Sequence, residues 1–203
     1  VIRSLEAAGA AVHLLQADAG DAASLEQALQ QYAAEDWPPI IGVIHAAGIT
    51  DSRLAMQMDR ATFNRVVAAK LTSALHLDRL FPAVDTFIVF SSIMAFLGAA
   101  GTVNYAAANA GLDALVQARR ARGVGALAIQ WGPWQSLGLL SGDLGERNMS
   151  EIASIGISGF TPEAGVAVFR WLAATDADTA TLMPVDWATM QRALRGRNRQ
   201  LFE

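Results

Sequence analysis

The chain has 203 residues, 53% hydrophobic and 17% charged, which is enough for one sizeable core and short for two. Its 15 basic and 19 acidic residues give a net charge of −4, so no basic field exists to attract nucleic acid. The absence of cysteine excludes disulfides and thiolate metal sites and suits a reducing cytoplasm. The three histidines, His13, His45 and His76, are too scattered to indicate a metal cluster.

The N-terminal residues do not resemble a signal peptide, because Arg3 and Glu6 interrupt the apolar core that such a peptide needs. The uncharged run Thr86–Leu112 is long enough to cross a bilayer. It contains two serines, two asparagines and three glycines, however, and lipid offers these polar groups no partners. We therefore expect a strand, a loop and a helix in this run, and no contact with a membrane.

Helical and strand patterns alternate along the chain. The predicted elements are a helix at Ile2–Ala8 closed by Gly9, a strand at Ala11–Leu15, a helix at Ser24–Tyr32, a strand at Ile40–Ile44, a helix at Thr62–Leu80, a strand at Phe87–Phe90, a helix at 105–119, a strand at Ala126–Trp131, a helix at Glu163–Ala173, a strand within 179–187 and a helix at Trp187–Leu194. The long helix is predicted to bury one apolar face, formed by Phe63, Val66, Val67, Leu71 and Leu75. This alternation predicts an α/β fold with a parallel, doubly wound sheet and right-handed crossovers.

Small or polar residues follow each of the first four predicted strands. They are Asp18, then Ala46, Ala47 and Gly48, then Ser91 and Ser92, then Gly132 and Pro133. The carboxyl ends of parallel strands meet at one edge of the sheet, and ligands bind there near a switch in strand order. Four such clusters at one edge favour a binding site over ordinary loop chemistry.

The stretch 87–115 carries the strongest chemical signal. Its apolar strand ends at the hydroxyls of Ser91 and Ser92, and Tyr105 follows thirteen residues after Ser92, at the start of an alanine-rich helix. Asn109 lies four residues later on the same helical face. A hydroxyl, a phenol and an amide can therefore meet in one pocket. A phenol acts as an acid only if a nearby cation lowers its pKa from about 10. Taken alone, the same residues are equally consistent with a strand and a helix whose polar groups are merely hydrogen-bonded.

The Ser-x12-Tyr-x3-Asn pattern resembles the ketoreductase domains of modular polyketide synthases, as do HAAG at 45–48, AAKLTSALHL at 68–77, WGPW at 131–134 and PVDW at 184–187. That family belongs to the short-chain dehydrogenase/reductases, which have a Rossmann-like fold. An ordinary member has Lys where Asn109 stands. Polyketide ketoreductases resemble this chain in having Asn there and the Lys on an earlier helix, where Lys70 fits. The resemblance extends from about residue 3 to about residue 190.

The resemblance implies an NADPH-dependent reduction of a β-ketoacyl chain that is held as a thioester on an acyl carrier protein. Tyr105 is expected to donate a proton and Ser92 to hydrogen-bond the substrate oxygen, with Ser91 as the alternative hydroxyl. Lys70 is expected to lower the pKa of Tyr105, and Asn109 to hold the lysine or a relay water. The implied partners are the carrier protein and the neighbouring synthase domains, and the implied location is the cytoplasm.

The resemblance also assigns cofactor contacts. Besides Lys70 and Tyr105, the expected contacts are Asp18 with the adenine amino group, Ala46, Ala47 and Gly48 with a ribose, and Gly132 and Pro133 with the nicotinamide ring. Each has a plainer alternative, since Asp18 can start a turn and small residues also permit close packing. His45 is expected to be a structural residue that hydrogen-bonds to the backbone.

Asp51, Leu97 and Trp134 are the candidate substrate contacts, although Asp51 can also cap a helix and Trp134 can simply pack. Two of them bear on stereochemistry. Ketoreductases that give the D-alcohol typically have Leu-Asp-Asp after HAAG, where this chain has Thr50, Asp51 and Ser52. Those that give the L-alcohol typically have Trp eight residues before the tyrosine, where this chain has Leu97. Asn104 fits the D class and Ala100 replaces its usual Pro, so the balance favours the D product.

Three further segments carry expectations. The last turn of the helix at 105–119 and the residues after it carry a basic cluster, Arg119, Arg120 and Arg122. We expect this cluster to be solvated, because cations are stabilised by the negative end of the helix dipole. Residues 137–160 contain five glycines and a short helical stretch around Glu151, which predicts a mobile lid. Residues 1–194 form the predicted catalytic domain, and 195–203 are a tail or the start of a linker.

No Gly-rich dinucleotide-binding run precedes Ala11. The resemblance places that run, and the basic residue that selects the 2′-phosphate, upstream of the matched part. The domain is therefore expected to be incomplete at its N-terminus, with an exposed apolar sheet edge that favours aggregation. Two other functions stay open. One is a catalytically silent structural copy of a ketoreductase, although such a copy would not need Ser92, Tyr105, Asn109 and Lys70 together. The other is a free-standing reductase of a small ketone, although an ordinary reductase of that kind has Lys where Asn109 stands.

Overall fold

The computed structural model describes residues 1–135, 150 and 152–194. Its strands are β1 (Gly42–His45), β2 (Thr86–Ser92), β3 (Leu127–Trp131) and β4 (Thr179–Leu182). Its helices are Ile2–Ala7, Ala22–Ala34, Arg60–Val67, Ser73–Leu80, Met94–Leu97, Val103–Ala121, Pro162–Ala173 and Trp187–Leu194, with a 3₁₀ turn at Ala55–Gln57 and a π turn at Ala68–Thr72. The predicted α/β alternation is confirmed from β1 onwards.

The four strands form one parallel sheet in the order β1-β2-β3-β4. Val43 lies opposite Phe87, Ile88 opposite Leu127, and Ile129 opposite Ala180. Because the order runs in sequence without a reversal, the switch point that we expected does not lie within the described sheet. The carboxyl ends of the strands nevertheless lie at one edge, as predicted.

Helices cover both faces of this sheet, so the doubly wound architecture is confirmed. On one face the strands contact the helices Ser73–Leu80 and Val103–Ala121, through Val43, Phe87, Val89 and Ala128 against Ala74, Leu112 and Val116. On the other face they contact the helix Pro162–Ala173, through Ile88, Leu127, Ile129 and Trp131 against Val168, Phe169 and Leu172. Alternate side chains of one strand thus enter different layers, as a strand buried on both faces requires.

The prediction that every crossover is right-handed is wrong for the last one. The helices between β1 and β2 and between β2 and β3 lie on one face, whereas the helix between β3 and β4 lies on the other. Since all four strands are parallel and step in one direction, a connection over the opposite face has the opposite hand. Right-handed crossovers account for about 98% of such units, so the last one is the unusual member.

The predicted strand at Ala11–Leu15 is also absent. These residues pair with no other strand, and β1 pairs only with β2 within the described part of the chain. Leu14 and Leu15 are 75% and 39% exposed, and the His13 ring stacks on Trp37. A strand exists only where a neighbour accepts and donates its ladder hydrogen bonds, so an extended apolar pattern without a neighbour does not form one. Ile44 of β1 is 56% exposed at the same edge, which agrees with the predicted apolar edge.

The helical segment 60–80 buries a face that agrees only in part with the one we predicted, since Val66 is buried and Leu71 packs against the core as expected. Its buried residues are Thr62, Val66, Lys70, Ser73 and Ala74, whereas Leu75 is 46% exposed. Residues spaced by four drift around an α-helix of 3.6 residues per turn. The π turn at Ala68–Thr72 has more residues per turn and offsets this drift. The buried residues spaced by four, from Thr62 to Ala74, therefore stay on one side of the segment. As a result, Lys70 points into the protein.

The interpretation of the basic cluster as fully solvated is wrong for one residue. Arg119 is completely buried, with its guanidinium 4.3 Å from the centroid of the Phe87 ring. Its Nη1 donates to Asp78 Oδ1 at 2.6 Å, and Arg122 Nη2 donates to the same oxygen at 2.7 Å. The helix Val103–Ala121 has buried positions from Asn104 to Arg119, so its last buried position falls on an arginine.

The predicted lid falls mostly outside the described residues. Its C-terminal end is described and is part of the core, because Ile157 is completely buried against Ile93 and Met190. Ser158 N also donates to Pro184 O at 2.8 Å. The predicted lid therefore does not extend to residue 160.

Candidate active site

The polar residues of the Ser-Tyr-Asn pattern meet at the carboxyl end of β2. β2 ends at Ser92, and the helix that begins at Val103 brings Tyr105 back beside it. Burial raises the pKa of Tyr105, while hydrogen-bonding interactions with Ser92 and Asn109 act in the opposite direction. The predicted convergence of a hydroxyl, a phenol and an amide is what the structure shows.

The two serines have different environments. Ser91 Oγ donates to the Asn109 carbonyl oxygen at 3.3 Å, so it faces the body of the helix. Ser92 Oγ accepts from Met94 N at 3.2 Å and interacts with the Tyr105 phenol. Ser92 is thus the serine that lies beside the Tyr105 phenol, and its hydrogen bond to a substrate oxygen stays a prediction.

Lys70 joins this group from the π turn. It is 4% exposed, and its Nζ donates to the Phe90 carbonyl oxygen at 2.6 Å and lies 5.5 Å from the centroid of the Tyr105 ring. Burial lowers the pKa of Lys70 to about 8, and the charge of Asp113 opposes this change. A Cβ at Gly48 would lie 3.1 Å from Lys70 Cε. Glycine at position 48 therefore gives the lysine side chain its room.

One electrostatic expectation differs from the structure. We expected Lys70 to lower the pKa of Tyr105, but burial has the larger effect and raises it. The Lys70 ammonium is directed at the Phe90 carbonyl, and burial lowers its own pKa. The cation is in the pocket, although it does not offset the desolvation of the phenol.

Asn109 is completely buried one turn after Tyr105. Its Nδ2 donates to the Tyr105 carbonyl oxygen at 2.7 Å, whereas its Oδ1 is buried with no hydrogen-bond partner. A buried acceptor without a partner is costly. Asn109 Oδ1 is thus an unused acceptor, and its role in holding the lysine or a relay water stays a prediction.

Sequence reasoning missed Asp113, which is 8% exposed one turn beyond Asn109. Its Oδ2 accepts from Gln130 Nε2 at 2.7 Å, and burial raises its pKa against interactions with Ser91, Gln130 and Lys70. The signal was available in the sequence. Tyr105, Asn109 and Asp113 are spaced by four and fall on one helical face.

His45 is a structural residue, as we expected, although its partner is a side chain. Its Nε2 lies 2.7 Å from Ser73 Oγ. Burial, and then the charge of Lys70, lower the pKa of His45 to about 4, so the ring is neutral at physiological pH.

Asp51 does not cap a helix, and its carboxylate has charged partners. Its carboxylate pairs with Arg65 and Arg53, whose hydrogen bonds and charges lower its pKa. Its carbonyl oxygen accepts from Asn104 Nδ2 at 3.0 Å, and Asn104 Oδ1 accepts from Tyr105 N at 2.8 Å. The loop after β1 is thereby tied to the start of the tyrosine helix, and contact of Asp51 with a substrate stays a prediction.

The remaining candidates lie around this centre. Asp18 is exposed, and its Oδ1 accepts from Gly20 N at 2.9 Å, as in a turn. Ala46 and Ala47 are exposed after β1. Gly132 is buried, and a Cβ there would lie 3.0 Å from the Leu182 carbonyl oxygen, so close strand packing requires glycine. Pro133 is buried beside it, and its carbonyl oxygen accepts from Phe160 N at 2.8 Å.

Two candidate substrate contacts have packing roles. Trp134 is partly buried, 4.7 Å from Trp131 between ring centroids, and a Cβ at Gly165 would lie 2.2 Å from its ring. Leu97 packs against a cluster that contains Ile93 and Ile157. The structure thus gives both residues packing roles, and contact with a substrate stays a prediction.

The family model of the KR domain matches residues 1–136. The chain belongs to this ketoreductase family. It is 38% identical over 184 residues to 6-methylsalicylic acid synthase of Aspergillus terreus, covering 90% of this chain and 10% of that protein. It is 36% identical over 180 residues to the spectinabilin polyketide synthase system protein NorB of Streptomyces orinoci, covering 88% of this chain and 8% of that protein. These relatives of the ketoreductase chain are polyketide synthases.

Solved ketoreductases have the same fold. PlmKR1, the ketoreductase from the first module of phoslactomycin biosynthesis in Streptomyces sp. HK803, matches with a TM-score of 0.89 and 32% identity, covering 96% of this chain and 44% of that chain. A C2-type ketoreductase from a modular polyketide synthase matches with a TM-score of 0.83 and 30% identity, covering 97% and 42%. The ketoreductase chain thus spans less than half of these solved chains and about a tenth of the curated relatives.

In the part of the ketoreductase that the structure describes, no helix combines the length and the hydropathy needed to cross a bilayer.

Proposed function

We propose that this ketoreductase chain reduces the β-keto group of a polyketide intermediate on an acyl carrier protein to a β-hydroxyacyl thioester, with NADPH as reductant. The observation that carries the proposal is the meeting of Ser92, Tyr105, Asn109 and Lys70 at the carboxyl end of β2. The further domains of the same synthase are the proposed partners of the chain, because its relatives are polyketide synthases.

The chemistry of a carbonyl assigns each side chain a task. Negative charge builds on the carbonyl oxygen during reduction, so hydrogen-bond donors must already point at that oxygen. The Tyr105 phenol donates the proton, and the Ser92 hydroxyl donates a second hydrogen bond to the same oxygen. The Lys70 ammonium places a positive charge near the Tyr105 ring and favours the phenolate that remains. Asn109 keeps Oδ1 free for a water that returns a proton to this group.

The reacting end of a nicotinamide cofactor fits these residues, and the cofactor supplies the hydride that no side chain can supply. Lys70 and Tyr105, which lie beside each other, would hold it, together with Asp18, Ala46, Ala47, Gly48, Gly132 and Pro133 by resemblance. A Gly-rich turn for the pyrophosphate is not among the described residues. We infer that the synthase supplies this turn from chain outside the 203 residues, which agrees with the 44% coverage of PlmKR1.

The test compares two substrates in the synthase polypeptide that carries this chain. One is a β-ketoacyl thioester loaded on a carrier protein, and the other is a small diffusible ketone. Oxidation of NADPH, and separately of NADH, is followed by absorbance. Faster turnover of the carrier-bound thioester with NADPH supports the proposal. Preference for the diffusible ketone contradicts a carrier-bound substrate and favours a reductase of small ketones, and no turnover of either substrate favours a silent structural copy. Chiral chromatography of the product then tests the expected D-alcohol.

The 203-residue chain alone is expected to bind NADPH poorly, because the pyrophosphate lacks its Gly-rich turn. Isothermal titration calorimetry of the isolated chain, beside the longer synthase polypeptide as control, measures this directly. Micromolar binding by the isolated chain as a well-behaved monomer contradicts the inference and shows that the cofactor is held in another way.

Lys70→Ala is expected to slow reduction and to move the alkaline limb of the pH profile to higher pH. The wild-type rate should fall through about pH 8, where Lys70 loses its proton, and alanine has no proton to lose. Lys70→Arg is the matched control, because arginine keeps the charge and does not titrate in this range. The kcat of all three enzymes is measured across pH. An alkaline limb that stays near pH 8 in Lys70→Ala would show that Lys70 is not the titrating group.

A further inference from the structure

The expected adenine contact, Asp18, lies on a turn that no strand supports. Residues 18–21 form this turn, named here the Asp18 turn, in which Asp18 Oδ1 accepts from Gly20 N at 2.9 Å and Asp18 O accepts from Asp21 N at 3.0 Å. Residues 11–15, which precede it, pair with no strand in the described part of the chain. The local hydrogen bonds fix the shape of the turn, so its place on the protein must come from other contacts.

One such contact comes from His76, a side chain that the proposed chemistry does not use. His76 lies on the helix Ser73–Leu80, and its Nδ1 is 3.1 Å from the carbonyl oxygen of Ala19. A carbonyl oxygen can only accept, so Nδ1 carries the proton and donates the hydrogen bond. His76 and Ala19 are both partly buried. The bond joins residues that are 57 positions apart, so it fixes the Asp18 turn to the body of the protein.

The same stretch of helix contacts the turn at a second point. A Cβ at Gly20 would lie 3.4 Å from the carbonyl oxygen of Ala68, so the turn packs against the first residue of the π turn. That π turn also carries Lys70, whose Nζ lies 5.5 Å from the centroid of the Tyr105 ring. One stretch of helix therefore holds both the lysine at the reacting end and the Asp18 turn.

An exposed ion pair adds little to this attachment. Arg79 Nη2 donates to Glu26 Oε1 at 2.8 Å, and the two side chains are 59% and 47% exposed. Solvent screens a pair of this kind, and Glu26 lies on the helix that follows the turn. Among the hydrogen bonds of the described residues, the one from His76 is the bond that reaches the Asp18 turn from the segment 60–80.

We propose that His76 is a positioning residue that holds the Asp18 turn where the Asp18 carboxylate can accept a hydrogen bond from the adenine amino group of the cofactor. Asp18 is exposed, so its carboxylate is accessible to a ligand. The effect on cofactor binding rests on the proposed function and on the contact that the resemblance assigns to Asp18, whereas the attachment of the turn does not. A contact residue that is already in place loses less conformational freedom on binding, which favours the bound state.

The first measurement tests the attachment, in the synthase polypeptide that carries this chain. His76→Phe keeps a planar ring and removes the donor, whereas the side-chain amide of His76→Asn can place a nitrogen donor near the position of Nδ1. Hydrogen exchange, followed by mass spectrometry without cofactor, reports on the amides of residues 16–22. Exchange is expected to be faster in His76→Phe, because the turn opens more often, and close to wild type in His76→Asn.

Calorimetry measures the consequence for the cofactor. NADPH is titrated in one experiment, and adenosine 2′,5′-bisphosphate, which has the adenine half without nicotinamide, in another. His76→Phe should weaken the binding of both by about 2- to 10-fold, the factor that corresponds to one hydrogen bond of ordinary net strength. The kcat at saturating NADPH and the KM for the thioester should stay at wild-type values, which a general loss of structure would not allow.

His13→Phe is the matched control, since His13 is exposed and its ring stacks on Trp37, as a phenylalanine ring also can. Its exchange and its affinities should equal those of the wild type. A second comparison adds His76→Phe to Asp18→Ala. No further affinity should be lost in this double variant, because the contact that His76 positions is already gone. Thermal unfolding identifies the variants that fold, and His76→Leu, which also lacks the donor, replaces a His76→Phe chain that does not.

Wild-type exchange, or wild-type affinity for the adenine fragment, in a folded His76→Phe polypeptide overturns the proposal. A further loss of affinity in the Asp18→Ala background overturns it as well, because His76 would then act by another route. If the wild-type polypeptide binds neither NADPH nor the fragment, the proposed function fails, while hydrogen exchange still decides whether His76 holds the turn. If the wild type binds both and only the expectations for His76→Phe fail, the proposed function stands without this role for His76.

Discussion

Tyr105→Phe is expected to reduce the rate of ketone reduction by a factor of about 10²–10⁴, the usual cost of removing a general acid. Phenylalanine keeps the ring beside Lys70 and removes only the hydroxyl that interacts with Ser92 and Asn109. NADPH affinity should therefore stay nearly constant. Steady-state kinetics with a β-ketoacyl thioester, and calorimetry with NADPH, measure the two quantities separately in the synthase polypeptide.

The matched control for this variant is Tyr32→Phe. Tyr32 is the other of the two tyrosines in the chain, and its hydroxyl donates to the Pro38 carbonyl oxygen on the surface. Tyr32→Phe should keep wild-type turnover. A Tyr105→Phe enzyme that retained more than about a tenth of the wild-type turnover would contradict the assignment of Tyr105 as proton donor. A loss of turnover that small is below the usual cost of removing a general acid.

Asp78→Ala is expected to lower the free energy of unfolding by about 3–5 kcal/mol, because it leaves a buried charge without its partner. Arg119 is completely buried, and Asp78 is the carboxylate that its Nη1 contacts at 2.6 Å. Nε and Nη2 of Arg119 have no other partner in the described part of the chain. Urea unfolding at neutral pH, followed by circular dichroism, measures the loss.

An exposed ion pair in the same chain provides the comparison. Asp176 pairs with Arg120 at 2.9 Å, and the Asp176 side chain is 97% exposed. Asp176→Ala should cost only about 0–1 kcal/mol, as solvent screens such a pair. Equal losses of stability in Asp78→Ala and Asp176→Ala would contradict the account of Arg119 as a charge that needs compensation.

The features that were predicted well are those that depend on residues close together in the sequence. Ser92, Tyr105 and Asn109 are linked by a strand end, a loop and one helical turn, so their spacing alone brings them together. The four strands of the sheet were predicted within a few residues for the same reason, since apolar runs with polar ends are local signals. Lys70 is different. Its place beside Tyr105 rests on the family resemblance, because nothing local in Thr62–Leu80 points a lysine inward.

The features that could not be predicted are those that depend on contacts between residues far apart in the sequence. Ala11–Leu15 has a strand pattern, yet pairing requires a partner that the pattern does not name. The burial of Arg119 depends on Phe87 and Asp78, which are far from it in the sequence. The hand of the last crossover depends on which face of the sheet the helix Pro162–Ala173 covers, and that is set by contacts with residues far from it in the sequence, such as Ile88 and Leu127.

The π turn at Ala68–Thr72 also constrains how this helix can change in length during evolution. A turn of this kind contains one residue more than an α-helical turn, so the halves before and after it are offset by one position. Substitutions can accumulate on the exposed sides of both halves, and the loops at either end can grow or shrink, without moving the lysine. A one-residue insertion or deletion inside the helix rotates Lys70 away from the Phe90 carbonyl unless the width of a turn changes to compensate. Relatives that keep this lysine are thus expected to differ in length outside the helix and to agree within it.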